Sequence, residues 1–408
     1  MRERSSTFDV SLHQPVPLWR DVRVLAVAAQ IAFAVAVVAV GVALLNNMLT
    51  ALASAGITPN ADFLRRTAGF EILEGPEFTR EDSFADAFRV GLINTLRVVS
   101  VGLALATLLG VMVGIARLSS NWLVKNIALV YIEIMQNTPL LVQLFFIYLG
   151  GFLALPSLRD GPVTLPGPVY LSNRGLVIPA LRFSETFSTW FLYVLLGVVA
   201  AALVWYARTQ EQKRTGRPAN RLGPALLIVL VFAVIGWVAV ATPPFTFSLP
   251  TPETRELPTG EVVVSRISGG ETLTPEFAAL LFGLVIYTGA FIAEVVRAGI
   301  QAVPYGQIEA ARAQGFSYSQ TLRLIVLPQA LRIIIPPLGN QYLNLTKNSS
   351  LAIAIGFPDL FNVSNTIANQ SGQAVTMLLV IMASYLTMSL TISTGTNFIN
   401  RRMQIKER

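Results

Sequence analysis

The strongest constraint in this 408-residue sequence is a series of long apolar runs, several near twenty residues and almost free of charge. A hydrocarbon core is about 30 Å thick, which one helix crosses in about 20 residues. The runs lie at about 24–45, 88–115, 125–155, 186–207, 223–241, 275–300, 331–351 and 374–398. They predict an all-α, polytopic membrane protein of about eight transmembrane helices. The chain is 53% hydrophobic and 13% charged, about half the charged share of a soluble domain. Its length is therefore spent on spans rather than on one globular core.

Several function classes fall away at once. The net charge of +7 sits in short basic blocks between apolar runs, the distribution that orients membrane proteins rather than one that grips nucleic acid. With no cysteine, disulfides, thiol catalysis and thiolate metal sites are excluded. The single histidine, His13, lies in a polar tail and reads as solvent-exposed. No phosphate-binding G-x-x-x-x-G-K-[ST] loop occurs, so the chain is expected to be no enzyme and to bind no cofactor itself.

The segments between the runs suggest how the chain is threaded. Residues 1–23 form a basic tail with Arg2, Arg4, Arg20 and Arg23. The first run, 24–45, exceeds the 7–15 apolar residues of a signal peptide, so it reads as a retained helix despite a possible cleavage site at Ala51-Leu52-Ala53. Residues 46–87 are polar, and Phe84 and Phe88 suit a short interfacial helix. Residues 156–185, with five prolines and three glycines, read as irregular. Arg208, Lys213, Arg214, Arg217 and Arg221 make the densest basic loop, and 399–408 is a second basic tail with Arg401, Arg402, Lys406 and Arg408. Eight crossings put both termini, this loop and the segment 305–328 on one side, which the positive-inside rule makes the cytoplasm.

Segment 305–328 is a polar island between apolar runs. Glu309, Ala310 and Ala311 favour helix, and Gly315 supplies the left-handed turn that ends one. Ser317 and Gln320 form a capping box that starts a second helix, and Pro328 marks the return to apolar sequence. Such a helix–Gly–helix knob at a membrane surface is a shape another protein can grip. Gly315 is the position least expected to tolerate a bulky residue.

Polar residues inside spans are costly and must face protein, water or a partner charge. Glu294 and Arg297 lie three apart on one helical face: they make a structural ion pair, or Glu294 faces a substrate ammonium. Arg97, one turn from Asn94, meets a substrate carboxylate, pairs with Glu133 or snorkels to the interface. Asn340, Asn344 and Lys347 form a polar stripe that lines a path or a helix contact, while Ser349 and Ser350 cap a helix end or touch substrate. Gly110 and Gly114 read as close helix packing, and Pro336-Pro337 as a bend.

The spacing E-A-A, three residues, Gly, nine residues, I-x-L-P resembles the EAA loop of bacterial ATP-binding-cassette (ABC) importer permeases. The sequences Gly91-Leu92-Ile93-Asn94-Thr95-Leu96, Asn137-Thr138-Pro139-Leu140-Leu141, Ala293-Glu294-Val295-Val296-Arg297, Asn340-Gln341-Tyr342-Leu343-Asn344 and Lys347-Asn348-Ser349-Ser350 extend that resemblance to the polar-amino-acid importer permeases. It is most like the general L-amino-acid or glutamate/glutamine/aspartate/asparagine type. The resemblance covers 88–155 and 275–398. It implies a type I importer permease core with an extra N-terminal helix (24–45), a periplasmic segment (46–87) and an inserted helix pair (156–274). Gln136 departs from the pattern, which usually places arginine there.

The resemblance further implies two cytosolic ATPase subunits, carrying ATP and Mg, docked on coupling helices around Glu309, Ala310, Ala311, Gly315 and Pro328. It implies a substrate path drawn from Asn94, Arg97, Glu294, Asn340, Asn344 and Lys347. Expected partners are a second permease chain (a different chain rather than a copy), a periplasmic amino-acid-binding protein and membrane lipid, in a bacterial inner membrane. Two rival readings stand beside it: an ion-gradient-driven secondary transporter with Glu294 and Glu133 as carriers, and a non-conducting membrane subunit.

Overall fold

A computed structural model describes residues 22–54, 61–216, 220–258, 260 and 262–403. Arg2, Arg4, His13, Arg20, Arg217, Lys406 and Arg408 lie outside the described residues. Among the described residues, seven helices are long and apolar enough to cross a membrane, or eight if one bent pair counts as a span.

The first helix, α1 (Val22–Ser54), extends well past the apolar run and buries none of its apolar window against the rest. Helix α2 (Phe84–Ala116) starts where Ser83 and Asp86 make a capping box. That cap overturns the expected interfacial helix, since Phe84 and Phe88 belong to the first turns of α2 itself. Phe84 is buried against Phe63 and Phe70 of the folded segment before it. The aromatic side chains thus find protein partners instead of lipid.

The expected span at 125–155 is not one straight helix. It is a bent pair, α3 (Trp122–Asn137) and α4 (Leu140–Phe145), with a π-helical continuation to Phe152 and a bend of 106°. Pro139 holds Thr138 in an extended conformation with ψ 129°, which ends α3. The bend frees carbonyls, and Gln143 answers them: its Nε2 donates to Met135 and Thr138, both at 2.9 Å.

Helices α5 (Phe187–Thr215) and α6 (Leu222–Ala239) pack on each other through small residues, Gly197 against Phe232 and Gly236 against Tyr193. The segments flanking them are strands, where irregular chain was expected for 156–185. They are β1 (Val163–Leu165), β2 (Val169–Ser172), β3 (Gly175–Ile178), β4 (Ala180–Phe183), β5 (Phe245–Ser248), β6 (Thr251–Glu256), β7 (Val262–Ser268) and β8 (Glu271–Leu273). One antiparallel sheet has the order β1-β2-β3-β8, and β4 pairs β5 while β6 pairs β7. The prolines that suggested irregular chain mostly sit between strands, as Pro166 and Pro168 do between β1 and β2. All-α therefore describes the membrane body, and a β-ledge caps one end.

Next come α7 (Pro275–Gln301), α8 (Tyr305–Ala313), α9 (Tyr318–Thr321), α10 (Leu327–Asn348), α11 (Leu360–Ser371) and α12 (Ala374–Met403). Helices α2 and α7 run in the same direction. Arg97 lies over Phe277, and further along Gly110 meets Ile292 and Gly114 meets Val296. The glycines are the close-packing pair expected from sequence: a Cβ on Gly110 would lie 2.5 Å from Ile292. Val98, Leu284, Ile292 and Leu345 bury the core between α2, α7 and α10. At the opposite end from the ledge, Arg332 Nε donates to the Met403 carbonyl at 2.7 Å, so α12 finishes where α10 begins.

Candidate functional site

The helical island is built as its residues dictate. Helix α8 closes with Gly315 at φ +80° and a bond from the Phe316 N–H to the Ala311 carbonyl at 3.1 Å, the Schellman pattern. Ser317 then caps α9: Gln320 Oε1 accepts from the Ser317 N–H at 2.8 Å, and Ser317 Oγ from the Gln320 N–H at 3.3 Å. Glu309, Ala310 and Gly315 are exposed, whereas Ala311 is buried and anchors the turn.

The expected separation of α9 from the next span does not exist. A π-turn at Leu322–Val326 joins α9 to α10, and Tyr318–Ile355 forms one 38-residue span. Pro328 lies at the start of α10, where its missing N–H is tolerated next to the wider π-turn.

The stripe Asn340, Asn344 and Lys347 is exposed on α10, facing outward from this single chain. A cleft of about 430 Å³ adjoins it, lined by Asn340, Ser393, Thr396, Asn397 and Asn400. The α12 residues were missed in the sequence, though their spacing of three and four marks one helical face. Helix α10 continues through Pro336-Pro337 into a 3-10 turn at Ser349–Ile355. Ser349 and Ser350 bond back to the carbonyls of Thr346 and Lys347, both at 2.8 Å, so they finish the helix.

Asn94 is fully buried. Its Nδ2 donates to the carbonyls of Glu74 and Pro358, each at 3.0 Å, tying three segments together. Beside it, the Leu360 N–H donates to Thr95 Oγ1 at 2.9 Å. The pairing of Arg97 with Glu133 is corrected. Arg97 lies 3.3 Å from Glu271 and 3.6 Å from Glu74, while Glu133 accepts from Asn137 at 3.0 Å. Burial raises the Glu74 carboxyl above its usual range, opposed by bonds from Thr274 and by the Arg97 charge.

The reason for the Arg97 pairing is depth. No charge separates Arg97 from Arg117, a distance of about 30 Å at 1.5 Å per residue, or one hydrocarbon thickness. Arg97 thus stands at the ledge-end boundary, level with β8, and not inside the span. At the other end Glu294 and Arg297 pair at 2.6 Å, and Arg297 also donates to Gln301 at 2.6 Å. Gln136 donates to the Ala290 carbonyl at 3.3 Å, a neutral bond between α3 and α7.

Residues 221–405 match the family described as binding-protein-dependent transport system inner membrane component. The general L-amino acid transport system permease protein AapQ of Rhizobium johnstonii is 41% identical, over 89% of this chain and 88% of its own length. The glutamate/glutamine/aspartate/asparagine transport system permease protein BztB of Rhodobacter capsulatus is 37% identical, over 90% of each. A crystal structure of an amino acid ABC transporter with histidines is similar with a TM-score of 0.45 and 23% identity, over 78% of this chain and 95% of that one.

Proposed function

We propose that this chain, which belongs to the amino-acid ABC transporter permeases, forms half of an alternating-access path driven by ATPase subunits on separate chains. One observation carries the proposal. The exposed polar stripe of Asn340, Asn344 and Lys347 lies on the helical span Tyr318–Ile355, which starts three residues after Gly315 in the exposed knob. A force applied to the knob therefore moves the stripe directly.

The stripe also argues for a second permease chain. Amide and ammonium groups facing hydrocarbon would be heavily penalised, so protein and water must cover them. A partner permease across the stripe encloses a polar path between the two, with Asn397 and Asn400 as further lining. A different chain fits the names of the relatives no better than a copy, and we take the heterodimer from the family resemblance. ATP and Mg belong on the cytosolic ATPase pair, because this sequence carries no phosphate loop.

In this reading the island faces the bacterial cytoplasm with both termini, and the β-ledge meets a periplasmic binding protein that delivers polar amino acids. Nucleotide states of the ATPase pair bind the two permease conformations with different affinity, which supplies the work. Glu294 is committed to Arg297, which favours its structural role over substrate contact. Asn94 likewise acts as a clamp rather than as a path residue.

The test is reconstitution in proteoliposomes with partner permease, ATPase and binding protein. Amino-acid uptake should require ATP and should fall more than tenfold in Gly315→Val. Uptake that proceeds without ATP or without the ATPase overturns the proposal and favours a secondary transporter.

A further inference from the structure

Between the β-ledge and the α2–α7 pair lie two adjoining hollows that the transport reading does not use. One, of about 390 Å³, is polar and lined by Glu74, Arg97, Arg182, Gly270 and Glu271. The other, of about 800 Å³, is mostly apolar and lined by Leu96, Val101, Ala180, Leu181 and Leu281. Arg97 and Glu271 line both. Together they make an amphipathic site, charged at the membrane boundary and apolar toward the hydrocarbon.

We propose that this site holds one phospholipid of the ledge-side leaflet. Its phosphate lies against Arg97 and Arg182, its amine against Glu271, and the upper part of an acyl chain fills the apolar hollow.

Depth supports this occupant. Arg97 stands one hydrocarbon thickness from Arg117, so the charged hollow is level with lipid headgroups. The charge pattern supports it too. Among the described residues Arg97 makes one side-chain hydrogen bond, to Glu271 at 3.3 Å, and Arg182 makes one, to the Gly270 carbonyl at 3.2 Å. Arg97 also faces Glu74 at 3.6 Å, whereas Arg182 faces a carbonyl; each five-donor guanidinium fork has N–H groups beyond these bonds, a geometry that suits phosphate. Glu271, half-exposed beside them, offers a carboxylate to an ethanolamine ammonium.

Access decides against a dissolved amino acid. Leu96 and Val101 are 43% and 42% exposed on the flank of α2, so the apolar hollow opens toward lipid rather than water. The inserted pair α5–α6 gives a reason for the site to exist. The pair packs mainly on itself and reaches the core through the ledge, where β4 pairs β5 and Arg182 holds Gly270. A lipid seated under β4 would fill the space between that ledge and α2, joining the insertion to the core.

The test is native mass spectrometry of the full chain in its complex, purified in mild detergent, delipidated and titrated with phosphatidylethanolamine. Two variants outside the transport path are compared: Arg182→Gln, which removes a phosphate donor, and Val101→Trp, which fills the hollow. The wild type should retain one phosphatidylethanolamine per chain with at least fivefold higher occupancy than either variant. It should also prefer phosphatidylethanolamine over phosphatidylglycerol by at least threefold. Equal occupancy in all three proteins overturns the proposal, as does displacement of the lipid by millimolar glutamine. Loss of the headgroup preference alone overturns the role given to Glu271. ATP-driven uptake is measured in parallel, so a failed lipid site and a failed transport assignment remain distinguishable.

Discussion

The Phe316 N–H reaches back to the Ala311 carbonyl at 3.1 Å, across a glycine whose φ of +80° suits few other residues. That bond fixes the angle between α8 and the long span beginning at Tyr318. Nothing lies within 4 Å of where a Gly315 Cβ would stand, so backbone strain is the whole penalty, about 1–2 kcal/mol for an ordinary residue. ATP-driven uptake should fall in the order Gly, Asn, Ala, Val at position 315, because asparagine tolerates the left-handed region. Gly315→Val should lose more than tenfold while assembly holds, and a flat series would show that the turn is not the coupling element.

A Cβ on Gly110 would lie 2.5 Å from the Ile292 Cβ. Gly110→Leu should cost about 1–3 kcal/mol by overpacking, read as a lowered melting temperature of the purified complex. Ile292→Ala in the same protein should recover part of that loss. If the double variant melts no higher than the single one, the two helices are not in the contact described.

Replacing Asn94 with leucine leaves the carbonyls of Glu74 and Pro358 without its two bonds, a cost of about 1–3 kcal/mol for each buried group left unpaired. We expect faster proteolysis within 61–83 and less assembled complex. The KM of the remaining transporter should stay unchanged. A raised KM with normal assembly would place Asn94 on the substrate path instead.

Asp359 is fully buried, and burial pushes its carboxyl up to about 6. Main-chain N–H groups of Asn362 and Phe361 and the Tyr385 hydroxyl oppose that rise. The unfolded chain titrates near the ordinary 3.8, so between about 4 and 6 the folded state holds the proton more tightly. Stability therefore falls as pH rises through that window, by about 3 kcal/mol in total. Asp359→Asn keeps a helix-capping oxygen and should flatten this part of the profile. Unfolding of both proteins at pH 4.5 and 7 checks it, and identical slopes would refute the assignment.

The apolar runs alone determined that the chain spans a membrane repeatedly, because hydrocarbon leaves an apolar helix no other partner. Local rules were equally legible: the Ser317–Gln320 box, the Gly315 turn and the Glu294–Arg297 pair each depend on residues within a few positions, and the Gly110–Gly114 spacing marked a close-packing face without naming its partner on α7. Only the tertiary structure decided where Arg97 belongs, since its partners Glu74 and Glu271 lie far off in sequence and meet it at one depth. It decided that the proline-rich segments pair as strands, because ladder hydrogen bonds join 175–178 to 271–273 across two intervening spans. It also decided that Tyr318–Ile355 is continuous and that residues of α12 share the polar cleft. Contacts of this kind depend on which faces meet in three dimensions, and a periodic pattern records only that a face exists.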